Sequence, residues 1–168
     1  MDKLIHETRI EIMQMAYMAC TESPDPSTQN SAVLAKQNGS VFMETWAVNE
    51  LPNGVMSTEE RWERPAKYHY VEHAERNAIY NAARRGIATR GLVLISPWAA
   101  CSDCARAIIQ AGISQLIRHE HNFLPEHWQE SITRADEMLL ESGVGIVDLK
   151  GDMGTEVGIL RNGEKVWV

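Results

Sequence analysis

Apolar positions along the chain recur with two periods, and the period switches at residues that break regular structure. Leu4, Ile5, Ile12, Met15, Ala16 and Ala19 fall close to one face of a helix over residues 4–20. Ser23-Pro24-Asp25-Pro26-Ser27 ends it, because two prolines in three residues cannot continue a helix. Ala32 to Lys36 and Val41 to Val48 read as strands joined at Gln37-Asn38-Gly39-Ser40, where Asn-Gly favours a tight hairpin. Residues 49–70 carry two prolines and a tryptophan without periodicity, which predicts a loop long enough to be functional. A helical pattern returns from His73 to Arg85, with Ala74, Ala78, Ile79 and Ala82 apolar and Gly86 as the stop. Leu92 to Ile95 is apolar without alternation, as in a strand buried on both faces. A helix capped by Ser102 and stopped at Gly112, a strand at Ile113 to Ile117, a helix at Trp128 to Glu141 and a strand at Val144 to Leu149 follow. Val157 to Val168 reads as a hairpin turning at Asn162-Gly163. The alternation of helices and strands predicts a single α/β domain whose sheet is covered by helices on both faces.

Charge narrows the range of partners. The 168 residues hold 16 Lys and Arg against 23 Asp and Glu, a formal charge of −7. No basic stripe interrupts that excess, which argues against a nucleic-acid partner and leaves room for a small anion held by local donors. No run of about 18 apolar residues is present, so no membrane span is expected. The N-terminal Met1-Asp2-Lys3-Leu4-Ile5-His6-Glu7 lacks the basic-then-apolar order of a signal peptide, and a cytoplasmic location is expected.

Chemistry concentrates at His73-Ala74-Glu75 and at Cys101-Ser102-Asp103-Cys104, each opening a predicted helix. One imidazole and two thiolates can hold a tetrahedral zinc ion while its fourth position stays open to water. A helix N-terminus and a cation both favour thiolate over thiol. Glu75 need not ligate the metal and is placed to move a proton between water and substrate. A redox dithiol at Cys101 and Cys104 is the main rival, but it leaves His73 and Glu75 without a role. A structural zinc would need a fourth protein ligand, for which His69 or His119 could fold in. The loose spacing of His119, His121 and His127 reads as solvated loop histidines, and Cys20 as a small buried hydrophobe. The His-x-Glu and Cys-x-x-Cys pair is the signature of zinc nucleobase deaminases.

Further segments extend the likeness across residues 15–120. Ser23-Pro24-Asp25-Pro26-Ser27-Thr28-Gln29, Asn49-Glu50-Leu51-Pro52-Asn53-Gly54, Lys67-Tyr68-His69-Tyr70-Val71-Glu72-His73-Ala74-Glu75-Arg76-Asn77-Ala78-Ile79 and the helix from Ala105 to Ile113 resemble the cytidine and deoxycytidylate deaminase superfamily, its deoxycytidylate branch above all. The resemblance implies a three-layer α-β-α fold with a central mixed five-stranded sheet. Residues 1–150 would form the deaminase domain, and residues 151–168 a C-terminal hairpin extension. It implies conversion of dCMP to dUMP with release of ammonia, with a 5-substituted dCMP or cytidine as alternative substrates and a catalytically silent nucleotide-binding module as the alternative function. It implies His73, Cys101 and Cys104 as zinc ligands, Glu75 as proton shuttle, and Asn49, Tyr70, Ala74, Trp98, Ala99 and Ala100 at the substrate. Val55 stands where some relatives carry a cysteine for a second zinc, so one Zn2+ per chain is expected, with Mg2+ only if nucleotides regulate the protein. Homo-oligomers, often hexamers, are common among such relatives. Glu22 and Pro24 replace a basic pair of the family pattern, Glu50 a glycine and Ala100 a proline. Arg76 is therefore a candidate for holding the phosphate.

Overall fold

The computed structural model describes residues 2–37, 41–120 and 126–168. Its elements run α1 (Asp2–Cys20), β1 (Ser31–Gln37), β2 (Val41–Val48), α2 (Glu59–Trp62), α3 (Lys67–Tyr70), α4 (Ala74–Arg84), β3 (Val93–Ser96), α5 (Ser102–Gln110), β4 (Gln115–His119), α6 (Glu126–Glu141), β5 (Gly145–Leu149), β6 (Gly158–Arg161) and β7 (Glu164–Trp167). Five strands form one mixed sheet in the order β2-β1-β3-β4-β5. β1 is antiparallel to both of its neighbours, whereas β3, β4 and β5 run parallel.

The two-residue period of the strands divides the core between the two sheet faces. Leu34, Leu94 and Leu116 sit side by side in register and pack beneath α4, α5 and α6. Val33, Ile95 and Ile117 form the adjacent row on the opposite face, under α1. Helices therefore cover both faces, and Val93 to Ile95 are buried throughout, as the unbroken apolar run requires.

The buried face of α1 differs from the expected one. Ile12, Met13, Ala16, Tyr17 and Cys20 point inward, whereas Met15 stays 45% exposed. Ile12 and Ala16 of the expected face are buried, but positions 13, 16, 17 and 20 set the i, i+3, i+4, i+7 stripe, where Met13 and Tyr17 bring more apolar area than Met15 and Ala19 would. The side chains of Leu4 and Ile5, the Asn38-Gly39 turn and His121 lie outside the described residues. The segment 49–70 contains two single-turn helices, α2 and α3, and its ends are tied by reciprocal backbone hydrogen bonds between Glu50 and Glu72.

The C-terminal hairpin forms as the Asn-Gly pair predicts. Asn162 and Gly163 take φ values of 53° and 84°, the left-handed pair that a two-residue turn needs. Ile159 buries itself against the α1 side of the sheet. The backbone of Gln29 donates to Leu160 O at 2.9 Å, its side chain accepts from Leu160 N at 3.0 Å, and Gly163 N donates to Ser27 O at 2.7 Å. Among the described residues, no helix is long and apolar enough to cross a membrane.

Candidate active site

β3 has an antiparallel neighbour on one side and a parallel one on the other, and a crevice lies beyond its C-terminal end. α5 begins just beyond the C-terminal end of β3, with Cys101 as its N-cap. α4 packs on the same face of the sheet with His73 as its N-cap, so two helix starts converge at the crevice. Neither cap side chain bonds its own helix backbone. Both are thereby free to face a shared point, with the positive ends of two helix dipoles behind them.

His73 Nδ1 lies 3.5 Å from Cys101 Sγ and 3.6 Å from Cys104 Sγ. A tetrahedral zinc ion bound at about 2.0–2.1 Å to nitrogen and 2.3 Å to sulfur sets that edge at about 3.6 Å. The one imidazole and two buried thiols therefore fit zinc in both chemistry and spacing, and no fourth protein ligand joins them among the described residues. His119 is committed elsewhere: its ring bonds Tyr17 Oη at 2.5 Å and Gly151 O at 2.8 Å. His69 is exposed on α3, and the ring of His127 packs on Trp128.

The ligands perturb one another. The hydrogen bond from the Cys104 thiol lowers Cys101 to about 4 against the opposing effect of burial, while Cys104 itself is raised by that shared bond and by burial. Burial works to lower His73, but its bond with Cys101 and the charge of Glu75 outweigh it and raise the group. Near neutral pH the metal-free site thus keeps the Cys104 proton, which zinc must displace. The apparent zinc affinity should rise at least about tenfold per pH unit between pH 6 and 8. Competitive chelator titrations at several pH values measure this slope. A flat profile would contradict a thiol–thiolate pair at Cys104 and Cys101.

Glu75 is 2% exposed, one position into α4. Its Oε2 is buried and, among the described residues, has no hydrogen-bond partner, and burial raises its pKa. A carboxylate held in this way is more basic than one in water and has a lone pair free for a substrate proton.

Glu75 and His73 line a cavity together with Cys101, Ala74, Asn49, Trp98 and Ala99. Three of the expected substrate contacts fall elsewhere. Ala100 is buried behind the wall. Tyr70 points outward from α3 at 40% exposure, with the Arg61 guanidinium 4.7 Å from its ring centroid. Arg76 does not line the cavity either, because its guanidinium pairs with Glu72, just before α4, and with Asp103 at 3.4 Å. The phosphate role expected of Arg76 finds no support in this geometry.

Asn49 is the hub of a buried network. Its amide donates to Asp25 Oδ2 at 2.8 Å and Thr28 O at 2.7 Å, and accepts from Asn30 N at 2.7 Å and Ser23 Oγ at 2.9 Å. Its hydrogen-bonding capacity is spent on shaping the wall, so a bond to a sugar would replace one of these. Asp25 also receives Lys67 Nζ at 2.6 Å, with side-chain exposures of 9% for the lysine and 0% for the aspartate. Sequence reasoning gave no role to Asp25, Lys67, Trp128 or Arg161, all of which line the cavity. The first two lie inside the segments that carry the family resemblance, whereas Trp128 and Arg161 have no motif around them.

The sequence profile of the cytidine and deoxycytidylate deaminase zinc-binding region matches residues 6–120. The chain belongs to this family. An uncharacterized deaminase of the luxG 3′ region of Aliivibrio fischeri is 36% identical over 142 residues, covering 83% of this chain and 92% of that protein. Human deoxycytidylate deaminase is 29% identical over 140 residues, 80% of this chain and 74% of its own. The crystal structure of dCMP deaminase from the cyanophage S-TIM5, in complex with dCMP and dUMP, superposes with a TM-score of 0.65 at 22% identity, over 83% of this chain and 94% of that one. The three-layer fold with its mixed sheet is therefore the deaminase fold, and this chain is a hydrolytic deaminase of the family.

Proposed function

We propose that the cavity converts dCMP to dUMP with release of ammonia, using one zinc ion per chain. The observation that carries this reading is the buried Glu75 oxygen, unpartnered among the described residues, beside three ligands at zinc spacing. The deoxycytidylate deaminases among the relatives support the choice of substrate. We read residues 1–150 as the catalytic domain and residues 151–168 as its extension, and the chain as a cytoplasmic homo-oligomer. Exposed Phe42 and Trp46 on the edge strand β2 support association.

His73, Cys101 and Cys104 would hold the zinc. When bound, the ion would supply Lewis acidity that makes a water molecule at the site easier to deprotonate. Glu75 accepts a proton from the water that attacks C4 of the cytosine ring and delivers it to N3. A second proton, from the new hydroxyl group, passes through Glu75 to the exocyclic amine. The C–N bond breaks, ammonia leaves and the C4 carbonyl forms. The first N–H group of α4, that of Ala74, has no carbonyl partner within the helix and is available to the base. Ala99 lines the same cavity. Trp98 and Trp128 present apolar faces that keep bulk water from the ring.

A substrate panel tests this choice. Ammonia release is measured with dCMP, 5-methyl-dCMP, CMP, deoxycytidine, cytidine and dCTP on zinc-loaded protein. The reading expects kcat/KM for dCMP to exceed that for deoxycytidine by tenfold or more. Preference for a nucleoside would replace the substrate, and turnover of none would favour a nucleotide-binding module.

A further inference from the structure

Among the cations that line the cavity, most are already committed. Lys67 is bound to Asp25 and to Ser27 Oγ at 2.8 Å. Arg64 is exposed and donates to Asn162 Oδ1 at 3.0 Å. Arg161 differs from both. Its Nη1 and Nη2 are buried and, among the described residues, have no hydrogen-bond partner. Its guanidinium lies over the Trp98 ring, 4.0 Å from the centroid, which fixes the plane of the fork without using any N–H.

The hairpin holds this arginine in place. β6 ends at Arg161, and the bonds from Gln29 to Leu160 and from Gly163 to Ser27 O fasten the residues on either side of it. Asn162 N adds a bond to Thr28 Oγ1 at 3.3 Å. The same segment, Ser27 to Asn30, anchors Asn49, so the arginine and the Asn49 wall share one support. A buried cation without an acceptor is costly, and burial lowers Arg161 to about 10, which leaves it charged at neutral pH. Glu75 is close enough for its charge to act on Arg161.

We propose that Arg161, carried into the cavity by the C-terminal hairpin, receives the substrate's phosphate and makes the enzyme select a nucleotide over a nucleoside. This rests on the reading of the cavity as a cytosine-nucleotide site. A phosphate monoester offers two oxygens to the planar guanidinium fork, and a bidentate pair of that kind satisfies both idle nitrogens. A nucleoside leaves them buried and unpaired, so the penalty falls on the wrong substrate. Such a role for the hairpin accounts for the loss of the basic pair at Glu22 and Pro24, and for the commitment of Arg76 to Glu72 and Asp103.

Calorimetric titration of the zinc-loaded protein with dUMP and with deoxyuridine tests the proposal. Wild type should bind dUMP about 10- to 150-fold more tightly than deoxyuridine, the range that hydrogen bonds to a charged group supply. Arg161→Gln should bring the ratio close to one. Arg161→Lys, which keeps the charge but not the fork, should fall between the two. Zinc content and circular dichroism check each variant, and if Arg161→Gln does not fold the decision passes to Arg161→Lys. An unchanged ratio in the variant, or a wild type indifferent to the phosphate, overturns the assignment. Turnover of dCMP alongside an unchanged ratio would remove Arg161 and leave the deaminase reading intact. Tight dUMP binding lost in Arg161→Gln, with no turnover of dCMP, would remove the reaction and leave the phosphate site.

Discussion

Glu75→Gln should retain one zinc per chain and lose about 10²- to 10⁴-fold in kcat, the share that a positioned proton shuttle supplies. Zinc should stay because Glu75 lies outside the His73, Cys101 and Cys104 donor set. The amide keeps the shape of the side chain but cannot take a proton, so the loss should appear in kcat rather than in metal content. Stability should move the other way. Burial raises the pKa of Glu75, so its contribution to stability is present below its unfolded value and is lost as pH rises through the folded one. Thermal melts of metal-free protein should therefore show Glu75→Gln more stable than wild type at pH 8, with the gap narrowing towards pH 5. A variant with wild-type kcat would assign the proton transfer to another group.

Asp25→Ala should cost about 3–5 kcal/mol, because it leaves the buried Lys67 ammonium without its carboxylate. In a domain of this length that amounts to a fall of about 6–20 °C in Tm. The same change removes the acceptor of Asn49 Nδ2 and of the Ser27 and Thr28 backbone N–H groups, so the cavity wall should loosen and activity should fall with stability. Asp25→Ala combined with Lys67→Met should recover part of the loss, since the unpaired charge is then gone. Chemical denaturation of Asp25→Ala, of Lys67→Met and of the double variant measures the cycle. A single-variant cost below about 1 kcal/mol would mean that the pair is hydrated and does not hold the wall.

The grouping of His73 with Cys101 and Cys104 was legible in the sequence because each half of it is a short local motif. His-x-Glu and Cys-x-x-Cys each sit on one helix start, and together they match a known metal-site signature, which pointed to His73, Cys101 and Cys104 as a group. The strands under those helices were legible for a similar reason, since Leu92 to Ile95 has no polar position to offer solvent. The Asp25–Asn49–Lys67 network was not legible in the same way. Its partners come from three separated segments, and each residue alone reads as an ordinary turn or surface group. Arg76 looked like a phosphate ligand because it adjoins the motif, yet Glu72, just before α4, pairs with it and Asp103 faces it from α5. Tyr70 looked like a pocket wall, but the single turn of α3 directs it to solvent. Arg161 carried no local signal at all: the docking of the C-terminal hairpin onto Ser27, Thr28 and Gln29 brings it to the site.

In the proposed reaction, an oxygen atom from water replaces the exocyclic amine of dCMP. Incubating zinc-loaded protein with dCMP in 18O-labelled water, followed by mass spectrometry of the nucleotide, tests it most directly. The account predicts dUMP carrying one 18O atom on its base, equimolar with released ammonia, and none of either from Glu75→Gln on the same timescale. Recovery of unchanged dCMP from a protein holding one zinc per chain would contradict it.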